Sequence, residues 1–121
     1  MIDIRPLGKQ IGAEINGVDV KSIDDATFAK IYRAWLESNV IVVRDQALNI
    51  EDFLAYSRRF GKLHSHHMKV TNHSQYPELT VLGVNKFNPD GELNLRIYSR
   101  GAKGFHTDGA YDRQPFKATQ L

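Results

Sequence analysis

The chain contains no cysteine. Disulfide scaffolds, Cys-ligated zinc and thiolate catalysis are therefore excluded, while the compartment is left open. Long apolar runs are also missing. The longest, Val40-Ile41-Val42-Val43, is far too short to span a bilayer. The opening Met1-Ile2-Asp3-Ile4-Arg5-Pro6 lacks the basic-then-apolar order of a signal peptide, so a cytoplasmic protein with no membrane partner is the expectation. An excess of one charge is lacking too. Sixteen Lys and Arg stand against 14 Asp and Glu, a net charge of +2, and no basic run exceeds Arg58-Arg59. No nucleic-acid footprint is expected from so even a distribution. An anionic small substrate stays open, since a few well-placed cations suffice to bind it. No repeat or low-complexity tract occurs. What is present, 41% hydrophobic and 25% charged residues over 121 positions, suits one globular domain at most.

Ile4 and the stretch 11–15 suggest short strands, punctuated by Gly8, Gly12 and Gly17. Ser22 followed by Asp25 resembles a capping box that opens a helix. Phe28, Ile31, Tyr32, Trp35 and Leu36 then recur at helical spacing, which predicts a core-facing amphipathic helix and makes Tyr32 and Trp35 core residues. The four β-branched residues at 40–43 predict a fully buried strand. Asn49, with Asp52 three residues on, is placed to cap a second helix whose apolar face is Phe53, Tyr56 and Phe60, with Gly61 as its stop. Residues 62–77 hold four of the five histidines without a period and read as loop. Residues 79–84 read as a strand, 85–104 as a long loop, and 105–111 and 117–121 as two further strands joined near Pro115.

His106-Thr107-Asp108 is the main candidate for chemistry. On a strand, residues two apart share a face, so the imidazole and the carboxylate would converge. Such a pair supplies two corners of the facial triad of non-haem iron oxygenases, a distant His supplying the third. The competing reading is a plain turn, because Asp-Gly dipeptides such as Asp108-Gly109 commonly serve the backbone. With five His and nine Asp in the chain, the spacing by itself is weak evidence. His64-Ser65-His66-His67, with His73 nearby, offers a second metal reading, zinc or copper, against that of a solvated or cleft-lining loop. Arg96, Arg100 and Lys103 are either solvated charges or an attractor for an anion. Glu14 and Asp19 show no paired-carboxylate geometry, and nothing resembles a nucleophile with its base or a phosphate-cradling loop.

Four segments occur together in a recognisable order. Leu7-Gly8 with Ile11-Gly12-Ala13-Glu14-Ile15 and Gly17-Val18-Asp19 resembles the opening of the taurine dioxygenase family. Val40-Ile41-Val42-Val43-Arg44-Asp45-Gln46 is similar to its strand ending in Arg-Asp-Gln, Phe60-Gly61-Lys62-Leu63-His64 to its Phe-Gly-x-Leu step, and Phe105-His106-Thr107-Asp108-Gly109-Ala110-Tyr111 to its iron-binding strand. Pro115 and Ala118-Thr119 continue the likeness, which covers nearly the whole chain.

The resemblance implies an α+β protein, mainly β with flanking helices, built on a double-stranded β-helix or jelly roll that is incomplete here. It implies iron(II) held by His106 and Asp108, and 2-oxoglutarate as a co-substrate decarboxylated to succinate as dioxygen hydroxylates a small organic substrate. His66 matches the family's substrate-contacting histidine. Departures are informative: Phe105 replaces a Trp, and Lys69 and Ala102 stand where taurine-specific members place Tyr and Asn, which argues against taurine itself. The third iron ligand and the 2-oxoglutarate-binding groups are expected downstream of Leu121. Residues 1–121 are accordingly expected to be the N-terminal portion of one dioxygenase domain, inactive alone and without catalytic residues beyond the metal ligands. The alternative is a non-catalytic binding or oligomerisation module derived from such an enzyme, with homo-oligomerisation left open.

Overall fold

A computed structural model describes residues 1–65, 72–80 and 105–121. The chain divides into two compact units, Met1–Lys62 and Leu63–Leu121.

In the first unit, β1 (Asp3–Pro6) and β2 (Ala13–Asn16) form an antiparallel hairpin in the register Asp3↔Asn16 to Pro6↔Ala13. The chain then crosses through α1 (Asp25–Ser38) to β3 (Ile41–Val43), which lies parallel to β2, giving the order β1-β2-β3. Helix α2 (Ile50–Arg58) follows. Parallel neighbours need a crossover of a dozen or more residues, and α1 supplies it.

Two expected features take a different form. Helix α1 is capped by Asp24, whose carboxylate accepts from Thr27 N–H, and not by Ser22. Ser22 is occupied in the preceding turn, where its N–H donates to Asp19 C=O at 3.1 Å. The strand at 40–43 begins one residue later, and it is half-buried because it has only one strand neighbour among the described residues. Ile11 lies before β2 and Leu36 on α1, and both are exposed. The second cap forms as expected: Asn49 Oδ1 accepts from Asp52 N–H at 2.8 Å while Asn49 N–H donates to the Asp52 carboxylate, a reciprocal capping box.

The core is Ala13 and Ile15 of β2, Val20, Ile31 and Ala34 of α1, and Leu54 and Tyr56 of α2. Ile15 and Ile31 are fully buried. Phe28, Tyr32 and Trp35 meet Phe60 at centroid distances of 5.0, 5.9 and 5.6 Å, and Tyr56 meets it at 5.4 Å, mostly edge-on. Each such contact contributes roughly 0.5–1.5 kcal/mol beyond its buried area. Phe60 thus meets residues of both helices, and Tyr32 and Trp35 pack against it but are half-buried, at the edge of the core their spacing predicts. Arg59 lies over the Phe28 ring at 4.4 Å while donating to Ile23 C=O and the Asp25 carboxylate.

The Glu14 and Arg-Asp-Gln segments prove to be a structural clamp. Arg44 Nε donates to Glu14 at 2.6 Å across the parallel pair, and this bond, with a second from Asn16, holds the Glu14 carboxyl below its ordinary range. Gln46 accepts from Val20 N–H at 2.9 Å and donates to Val18 C=O at 2.8 Å, so one amide fixes the loop after β2. Glu14 serves this clamp through Arg44 and Asn16. No helix among the described residues is long and apolar enough to cross a membrane.

Candidate metal centre

The second unit is described over residues 63–65, 72–80 and 105–121. Thr80 forms a single antiparallel bridge with Asn72, the described part of the strand expected at 79–84. Residues 81–84 and the loop expected at 85–104 lie outside the described residues. Between the bridging residues, His73 N–H donates to Leu79 C=O at 2.8 Å, and His73 Nδ1 accepts from Gln75 N–H at 3.2 Å. One nitrogen of His73 is therefore committed to the turn.

Residues 105–111 and 117–121 are not strands. Neither is part of a strand ladder among the described residues, and it is the ladder that holds an extended segment as a strand. Residues 108–111 form a turn instead, in which Asp112 N–H donates to Gly109 C=O at 3.0 Å. Gly109 has φ +70°, and a Cβ there would stand 2.7 Å from the Phe116 ring. Only glycine satisfies both conditions without strain. His64 packs on Phe116 at a centroid distance of 5.6 Å.

On this turn the two expected donors do converge. His106 Nε2 lies 3.2 Å from Asp108 Oδ1, with the side chains 55% and 45% exposed. A surface ion pair at such exposure adds little stability, about 0–1 kcal/mol. As a donor set the pair is more informative. Cis ligands at about 2.0–2.2 Å from an octahedral divalent ion are separated by roughly 3 Å, so this spacing matches one edge of such a shell. Imidazole and carboxylate also suit iron(II). The other carboxylate oxygen, Asp108 Oδ2, accepts from Thr119 Oγ1 at 2.7 Å. The residues present fit a divalent metal at two positions. Among the described residues no third His, Cys, Asp or Glu completes a cluster.

His66 and His67 lie outside the described residues, as do Lys69, Arg96, Arg100, Ala102 and Lys103. Of the histidine-rich loop, His64 and His73 are described, one against Phe116 and the other in its turn. Sequence reasoning assigned no role to Thr119 or Phe116. The irregular chain between Gly109 and Phe116 carries no period that could have signalled their contact.

The described residues thus combine a small mixed sheet and two helices with, further along the chain, a His-x-Asp donor pair. The chain belongs to the Taurine catabolism dioxygenase TauD, TfdA family, whose model it matches over residues 3–121. It is 31% identical over 116 residues to the (S)-phenoxypropionate/alpha-ketoglutarate-dioxygenase of Sphingobium herbicidovorans, covering 90% of this chain and 36% of that protein. It is 32% identical over 120 residues to the alpha-ketoglutarate-dependent sulfonate dioxygenase of Saccharomyces cerevisiae, covering 94% of this chain and 28% of that protein. Among solved structures, a taurine dioxygenase from Burkholderia xenovorans superposes with a TM-score of 0.58 at 34% identity, over 63% of this chain and 28% of that one. The chain thus spans about a third of the length of these relatives. The family and these relatives are alpha-ketoglutarate-dependent dioxygenases, which are oxidoreductases acting on small molecules.

Proposed function

We propose that residues 1–121 form part of an iron(II)- and 2-oxoglutarate-dependent dioxygenase of jelly-roll type that hydroxylates a small anionic organic substrate. The observation that carries this reading is the edge formed by His106 Nε2 and Asp108 Oδ1. Bound iron(II) with 2-oxoglutarate would supply the oxidising chemistry. The chain's own residues contribute two donors on one face, oriented by the turn that Gly109 permits and Phe116 covers. A third ligand, a histidine by family resemblance, would complete the donor set.

Phenoxypropionate carries a carboxylate and the sulfonates a sulfonate, so the named relatives share an anionic substrate class. His66 is the residue proposed to meet that anion. Succinate release from 2-oxoglutarate, measured on the protein at its native length with a panel of sulfonates and aryloxyalkanoates, tests the reading. The expected result is substrate-dependent succinate that falls to background in His106→Ala. Succinate formation undiminished in that variant, or none with any anion in the panel, would overturn it.

A further inference from the structure

We propose that Thr119 is a positioning residue that sets the Asp108 carboxylate for metal binding. The inference rests on His106 and Asp108 being metal ligands, and it concerns a residue to which the family likeness assigns no role. An Asp carboxylate turns through a broad, two-fold torsional profile, so a half-exposed one has no preferred plane of its own. The Asp108 side chain is 45% exposed and needs an external constraint. Thr119 Oγ1 supplies it by donating to Oδ2 at 2.7 Å, the length of a charge-assisted hydrogen bond. With Oδ2 engaged, Oδ1 is the oxygen presented toward His106 Nε2, 3.2 Å away. The carboxylate is thereby prepared to bind through one oxygen.

The two constraints on Asp108 are independent. Gly109 and Phe116 fix the backbone of the turn, whereas Thr119, eleven positions on, fixes the side chain. Threonine suits the task because its β-branch stiffens χ1 and so holds the hydroxyl in place. Serine carries the same donor on a freer rotor.

Mn(II) titration of the intact protein, read from the electron paramagnetic resonance of the free ion, tests the assignment in a readout separate from turnover. Outer-shell partners of metal ligands typically change affinity by 10–100-fold, and the exposure of its bond to Asp108 places Thr119 at the low end. Thr119→Val is expected to weaken Mn(II) binding about tenfold, Thr119→Ser to stay within about threefold of the parent, and His106→Ala to remove binding at this site. Circular dichroism reports whether each variant folds. Should the valine variant unfold, Thr119→Ala against Thr119→Ser makes the same comparison, since both lack the methyl and differ in the hydroxyl. Hydroxyl-free variants that bind like the parent, while His106→Ala does not bind, would overturn the role of Thr119 alone. A parent protein that does not bind Mn(II), or binds it equally well without His106, would remove the underlying metal assignment as well.

Discussion

Tyr56 places its ring against Phe28 and Phe60 in the core, only 6% exposed, while its hydroxyl has no hydrogen-bond partner among the described residues. A buried hydroxyl without a partner costs roughly 1–3 kcal/mol in desolvation, so removing it relieves a penalty. Tyr56→Phe is expected to be neutral or to stabilise by up to about 1 kcal/mol in urea unfolding. A clear loss would show that the hydroxyl is satisfied. Burial also pushes the Tyr56 hydroxyl up to about 12, above its ordinary value of 10.0. Fold stability is therefore untouched by this ionisation below pH 10 and falls as the pH rises toward 12, because the unfolded chain ionises first, a limb that Tyr56→Phe should flatten. Gly109 is the complementary case. Gly109→Ala places a Cβ at positive φ and into the Phe116 ring, so it is expected to cost roughly 1–3 kcal/mol and to weaken metal binding by displacing Asp108. The need for a turn at this position is legible in the Asp-Gly dipeptide. The Phe116 contact is not, because seven residues of irregular chain carry no period from which a contact can be inferred.

At the scale of elements, the reciprocal cap of α2 is the feature that sequence reveals most directly, since Asn49 and Asp52 need only local geometry. Asn49→Ala is expected to destabilise the unit by about 1 kcal/mol, seen as a lower urea midpoint with an unchanged slope. The start of α1 is harder to read. Ser22 and Asp24 are both good caps, and the choice falls to Asp24 because the turn from Asp19 engages Ser22. The burial of β3 is harder still: a run of β-branched residues marks a strand, but its burial depends on neighbours that come from elsewhere. Phe60 shows a motif residue turning out to be structural. Phe60→Ala removes three ring contacts to α1 and one to Tyr56 of α2 and, Phe60 being half-buried, is expected to cost about 3 kcal/mol in equilibrium unfolding.

For the whole molecule, the family likeness rests on segments that serve different ends. The Glu14–Arg44 pair and the Gln46 clamp hold the sheet, whereas His106 and Asp108 form the candidate site. Hydrogen bonds to Arg44 and to Thr27 lower the Glu14 and Asp24 carboxyls from 4.5 and 3.8. A carboxyl lowered in the folded state stabilises fully above its unfolded value and loses that contribution as pH falls through the lowered one. Glu14→Gln should therefore make the acid limb of a stability profile shallower, and a limb of unchanged steepness would assign the acid sensitivity elsewhere. The His-x-Asp pair stood out as a candidate only through the order of four segments. Its geometry was not legible, since a strand was expected where the chain turns. The most direct measurement of the central claim is the nuclear magnetic resonance spectrum of the isotope-labelled protein with substoichiometric Mn(II). If His106 and Asp108 hold the metal, paramagnetic broadening centres on residues 105–109 and disappears in Asp108→Ala. Broadening centred on His64 and His73, and persisting in that variant, would contradict it.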